Sequence, residues 1–250
     1  RGARDMKGGI AMMLAALLRA KVEQLQLPGD VVLAIVSDEE GLGSFGARFL
    51  VENHPDLFAG IRYAVGEFGG FSLYVGKKKF YPIMIAEKQV CWIKATVRGP
   101  AGHGSLPARG GAMAKLARLL LKLDKKRLPV HITPTTRLIF RTMASALGGL
   151  NGLILGQLTN PALTNIVLDL LGERGHVFDP MLHNTVNATV LHGGDKFNVI
   201  PSEVSVELDG RLLPGYEPDD MIAELRQIIG RNVELEVLRF DPGPDEPDMG

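Results

Sequence analysis

A single cysteine stands among the 250 residues, so the chain can close no intrachain disulfide and cannot build a zinc site from several thiolates. Net charge is lacking as well, with 28 basic side chains against 28 acidic ones. With no basic run, nucleic acid and anionic membrane are disfavoured as partners, since both demand a concentrated positive surface. Long apolar runs are also missing. The most apolar tract, residues 146–171, is broken by Asn151, Gln157, Asn160, Pro161 and Asn165. A membrane-spanning helix needs about 20 uninterrupted apolar residues, so none is expected. Internal repeats and low-complexity segments are not found. What is there, 46% hydrophobic and 22% charged, is an ordinary globular composition, enough for one large domain or two ordinary ones.

The chain changes texture along its length. Near the start, Ile10, Met13, Leu14 and Leu17 fall on one face at helical spacing after Gly8 and Gly9. Residues 31–36 form a short, continuous, β-branched run that predicts a strand buried on both faces, and residues 62–65 a second. A helical stretch over residues 47–52 lies between them. This alternation predicts a parallel sheet covered by helices. From about Val90 the pattern becomes amphipathic. Cys91, Ile93, Ala95 and Val97 alternate with polar or larger neighbours, as do Val186, Ala188 and Val190, and Val204, Val206 and Leu208. Met113, Leu116, Leu120 and Leu123 mark a helix. Pro218 with Asp219 and Asp220 opens another, which Met221, Leu225 and Ile228 face inward and Gly230 stops. Val233, Leu235 and Val237 make a last strand. Strand–helix–strand–strand–helix–strand is the order of a ferredoxin-like sandwich, here with residues 130–182 inserted after its first helix.

Four carboxylates stand where the apolar runs of the first part end. Glu39 and Glu40 follow residues 31–36, Glu67 follows residues 62–65, and Asp5 precedes the first helix. In an open parallel sheet ligands gather beyond the carboxyl ends of the strands. Acids gathered there repel one another unless a cation sits among them, which points to a divalent metal site. The plainer alternative is a set of solvated acids at helix N-termini. A rival signal overlaps them: Gly41-Leu42-Gly43-Ser44-Phe45-Gly46 fits the glycine pattern of a dinucleotide site. Against it, Ser37-Asp38-Glu39-Glu40 separates the apolar run from the first glycine, and three acids would face the pyrophosphate.

Together these segments resemble a known family. Asp5-Met6-Lys7-Gly8-Gly9, Ser37-Asp38-Glu39-Glu40-Gly41 and Gly66-Glu67 are similar to the core of the M20 metallopeptidases. Gly102-His103-Gly104-Ser105-Leu106-Pro107, Asn198-Val199-Ile200-Pro201 and Asp209-Gly210-Arg211 resemble motifs of that family's lid domain. The resemblance implies an α/β fold: a partial zinc-peptidase-type catalytic domain over residues 1–88 and a ferredoxin-like α+β lid, or dimerisation, domain over 89–241. Residues 242–250 would begin the return to the catalytic domain. It implies two divalent metal ions, zinc foremost and cobalt or manganese as alternatives, bridged by Asp5 and held by Glu40 and Glu67. Glu39 would be the general base. His103 would polarise the scissile carbonyl, and Asn198 and Arg211 would hold the substrate, an N-acyl amino acid or short peptide with a free carboxylate. A homodimer through the lid domain is implied as well. The remaining histidines, His54, His131, His176, His183 and His192, match no motif and read as surface or core-edge residues.

The sequence also departs from that pattern. The family's metal site takes two further histidines, one upstream in an H-x-D motif and one downstream of the lid, and neither is present. The expectation is a chain cut at both ends, with little activity by itself. A non-catalytic relative that binds or dimerises through the lid is the alternative. A cytoplasmic compartment is expected on no more than the single cysteine.

Overall fold

The computed structural model describes residues 6–41, 43–66 and 71–244. The chain folds as two compact units, residues 1–70 and residues 71–250.

In the first unit, α1 (Gly8–Val22) and α2 (Ala47–Asn53) form where the helical spacing predicts them. Ile10, Met13 and Leu17 of α1 are half-buried, whereas Leu14, expected on the same face, is exposed. The expected strands do not form among the described residues. Residues 31–36 form no regular element and pair with no strand among the described residues, and Val31, Val32 and Ile35 are each more than half exposed. Residues 62–65 are likewise unpaired, with Val65 91% exposed. A parallel strand needs neighbours for its backbone groups and helices over both faces. Neither run has a strand neighbour within the described residues of this unit.

The second unit opens with a hairpin, β1 (Leu73–Val75) and β2 (Lys78–Phe80), turned at Gly76 with φ +60°. The sandwich follows as β3 (Gln89–Arg98), β4 (Gly102–His103), α3 (Ala112–Lys125), then an insertion of α4 (Pro134–Leu147), α5 (Gly149–Gly156), α6 (Thr164–Leu171) and α7 (Asp179–Leu182). It resumes with β5 (Thr185–His192), β6 (Val199–Ile200), β7 (Glu203–Leu212), α8 (Pro218–Ile229) and β8 (Glu234–Asp241). The main sheet is antiparallel throughout, in the order β5-β7-β3-β8. Two central strands that are first and third in sequence, flanked by the second and fourth, make the ferredoxin-like topology the alternation predicts.

The core sits between this sheet and its two helices. Cys91, Ile93, Ala95 and Val97 of β3 and Val204, Val206 and Leu208 of β7 meet Leu116 and Leu119 of α3 and Met221 and Leu225 of α8. Each fully buried aliphatic side chain contributes about 1.5–3 kcal/mol. Gly210 lets β7 pass close to β3, since a Cβ there would lie 2.2 Å from the Cys91 carbonyl oxygen. Burial pushes the Cys91 thiol up to about 11, so the lone cysteine is a small core hydrophobe and a poor nucleophile.

The insertion has its own core. Phe140 and Phe178 pack edge to face at 5.3 Å among Met143, Leu155, Leu158 and Leu168, and the hairpin adds Leu73, Val75 and Phe80. Its two ends meet: Val130 bridges His183, and the His131 amide donates to the Leu182 carbonyl at 2.7 Å.

Candidate active-site residues and the polar seam

Glu39 and Glu40 occupy a single 3-10 turn, Glu39–Gly41, in the first unit. Both side chains are exposed, and neither makes an ion pair among the described residues. The turn is entered through Asp38, a non-glycine residue at φ +55°. Asp5 and Glu67 lie outside the described residues, as does Leu42 of the glycine pattern. Two adjacent hard oxygen donors without a cationic partner among the described residues suit a divalent ion chemically. Among the described residues alone there is no group of three or more His, Cys, Asp or Glu side chains placed to hold one. The dinucleotide reading loses its context here, because the pattern requires a strand running into its first glycine and residues 31–36 are unpaired.

In the second unit the small strands β4 and β6 pair Gly102 with Ile200 and His103 with Val199. The Gly104 amide then donates to the Asn198 carbonyl at 2.8 Å, so the structure brings the His103 and Asn198 segments together. Gly104 must be glycine, since a Cβ would stand 2.9 Å from the Phe197 carbonyl oxygen. His103 is exposed, with Nδ1 2.7 Å from Ser105 Oγ and 3.3 Å from the Ser105 amide. The amide can only donate, so Nδ1 is the acceptor and the neutral ring carries its proton on Nε2. Nε2 has no partner among the described residues. It is an outward-facing donor of the kind that can polarise a carbonyl.

Arg211 lies on the open face of β7, where its guanidinium grips Asp209 through two bonds of 2.8 and 3.1 Å. A substrate carboxylate at that fork would have to displace Asp209 or share the guanidinium with it. Nearby, Lys88 donates from Nζ to the His183 carbonyl and the Thr185 hydroxyl, both at 2.9 Å. Burial lowers its ammonium to about 8, Asp179 opposing the shift and Arg211 adding to it.

A polar seam joins sandwich and insertion, and sequence reasoning missed it. Glu224 of α8 is buried, accepting from Asn184 Nδ2 at 3.1 and 3.2 Å and lying 2.6 Å from His131 Nε2. Asn184 Oδ1 accepts the Leu213 amide at 2.8 Å. His183 is a core residue at 1% exposure, 2.8 Å from an Asp179 carboxylate oxygen and 3.1 Å from Asn165 Oδ1. Arg127 ties Asp179 to Asp169 at 2.6 and 2.7 Å. His131 and His183 are therefore fastenings of the insertion, where the sequence suggested surface or core-edge positions. One signal was present: Glu224 is three residues after Met221 and four before Ile228, on the apolar face of α8.

The chain is similar to known proteins. A family model described as the peptidase dimerisation domain matches residues 85–234. The chain is 31% identical to acetylornithine deacetylase of Myxococcus xanthus, over 97% of this chain and 51% of that protein. It is 25% identical to the human N-fatty-acyl-amino acid synthase/hydrolase PM20D1, over 99% of this chain and 50% of that one. It is 26% identical to pig aminoacylase-1, over 96% and 49%. The chain thus spans about half the length of the curated relatives it matches. Among solved structures, human carnosine dipeptidase 1 shares the fold, with a TM-score of 0.54 at 16% identity over 97% of this chain and 55% of that one.

Proposed function

From the premise that this chain belongs to the M20 peptidase family, whose dimerisation domain accounts for more than half of its residues, we propose that it serves metal-dependent hydrolysis of an amide or peptide bond. The substrate is a small molecule with a free carboxylate, an N-acyl amino acid or a short peptide. The names of the relatives, a deacetylase and an aminoacylase among them, support that substrate class. The observation that carries the reading is the exposed Glu39–Glu40 turn, two adjacent carboxylates that no cation in the described residues offsets.

In this reading Asp5, Glu40 and Glu67 would hold two divalent cations, zinc first. Bound there, such ions would supply Lewis-acid polarisation and bring the pKa of water toward neutrality. Glu39, left uncoordinated beside Glu40, takes the proton of the attacking water and delivers it to the leaving amine. His103 donates from Nε2 to the carbonyl oxygen as negative charge develops on it. Arg211 pairs with the substrate carboxylate, and Asn198 orients the substrate beside His103. The dimerisation domain brings two copies of the chain together.

The test is a hydrolysis assay of the full-length protein on N-acyl amino acids and dipeptides, with and without a chelator; these 250 residues alone are expected to turn over little or nothing. Glu39→Gln is expected to lower kcat by about 100-fold or more at unchanged metal content. Turnover that survives both the chelator and this substitution would overturn the assignment.

A further inference from the structure

We propose that Asp38 is a positioning residue, a one-residue clasp that closes the loop of residues 37–46 and thereby aims Glu39 and Glu40. The inference rests on the roles given to those two glutamates above.

Three observations in the first unit carry it. First, Asp38 sits in the left-handed region at φ +55°. Gln24, the other non-glycine residue there among those described, merely follows the end of α1. Asp38 terminates no helix. It instead stands immediately before the glutamate turn, Glu39–Gly41. Side chains disfavour this region, and Asp and Asn tolerate it because their short polar groups bond locally. Second, Asp38 gathers the loop. Its carbonyl accepts the Gly41 amide at 2.9 Å and the Gly43 amide at 2.8 Å, and its Oδ2 accepts the Phe45 amide, seven residues on, at 3.0 Å. Third, the loop shuts tightly over it. A Cβ at Gly46 would stand 2.1 Å from the Ser37 carbonyl oxygen and 3.0 Å from Asp38 Oδ1. That Oδ1 is buried with no hydrogen-bond partner among the described residues, an unfavourable arrangement for a carboxylate.

The residues between these fixed points are Glu39 and Glu40. With Asp38 holding Gly41 and Gly43 on its carbonyl and Phe45 on its carboxylate, the pair has little backbone freedom and stays exposed. A general base and a ligand that act side by side need that constraint, because a small misplacement of either costs rate.

Three substitutions separate the parts of the clasp. Asp38→Asn keeps the backbone preference and an Oδ acceptor but drops the charge; Asp38→Gly keeps only the backbone freedom; Asp38→Ala keeps neither. Amide hydrogen exchange reads the loop directly, without metal or substrate. Asn should retain protection at Gly41, Gly43 and Phe45, Gly should lose it at Phe45, and Ala should lose it at all three. Cobalt(II) titration and steady-state kinetics of the full-length protein then read the aim of the glutamates. Ala should lower kcat about tenfold or more, with KM within about twofold, and alter the cobalt absorption spectrum. Asn should keep kcat within about threefold.

Wild-type exchange, kcat and cobalt spectrum in Asp38→Ala would overturn the proposal. So would an Asn variant as impaired as Ala, which would mean that the charge itself acts. If the unaltered protein binds no cobalt, the metal reading of Glu39 and Glu40 fails, and the exchange pattern alone decides the clasp.

Discussion

Two apolar segments invite comparison, residues 31–36 in the first unit and β3 in the second. Both are rich in β-branched and aliphatic residues, yet Ile93 is fully buried while Ile35 is 56% exposed. The difference lies in what each pattern demands. An alternating strand needs strand neighbours and a single covering layer, and β3 finds β7, β8, α3 and α8 within its own unit. A continuous apolar run demands strands on either side and helices over both faces. That is a larger set of partners, and the described residues of the first unit do not supply it. Composition alone therefore does not make a strand; the neighbours complete it.

Matched truncations would break or sharpen this contrast. Ile93→Ala should cost about 4 kcal/mol in urea denaturation, whereas Ile35→Ala should cost less than about 0.5 kcal/mol. Equal losses would show that residues 31–36 are covered in solution. The same logic applies to acids. Glu224→Ala strips the partner from Asn184 and His131 inside the polar seam and should cost about 3 kcal/mol, while Glu40→Ala, exposed and without an ion-pair partner among the described residues, should leave stability nearly unchanged.

The smallest effect concerns Lys88, whose ammonium burial lowers from 10.5 to about 8. Below pH 8 both folded and unfolded chains carry the proton, and the folded state bears the cost of burying the charge. Between pH 8 and 10.5 the unfolded chain binds more protons, so stability should rise with pH across that window. The gain should vanish from the pH profile of Lys88→Met, read by thermal unfolding in parallel with the unaltered protein. A flat profile in the unaltered protein would place Lys88 in water.

Legibility in the sequence followed the same division. The sandwich was readable because alternation at Cys91–Val97 and Val204–Leu208 and the helical spacing of Met221, Leu225 and Ile228 are local properties. Its insertion was readable as an interval, residues 130–182, but not its fastenings. His131 has no local signature, since its partner Glu224 is set by tertiary placement; His183 has Asp179 four residues before it, but its burial and its contact with Asn165 come from tertiary packing. His103 and Asn198 were picked out by resemblance to motifs; that β4 and β6 bring their segments together could not be read from strands two residues long. Asp38 was visible only as one acid among three, because a left-handed backbone leaves no mark in composition.

The meeting of the insertion's two ends has a consequence of its own. A segment that leaves and re-enters its host at the Val130–His183 bridge is, topologically, an appendix. The host's folding is burdened by closing the excursion only weakly, because that entropy grows with the logarithm of loop length. Evolution can therefore lengthen, exchange or prune α4–α7 while the four-stranded sheet keeps its order, as long as something continues to shelter Leu73, Val75 and Phe80 of the hairpin. The insertion is where relatives of this chain have room to diverge.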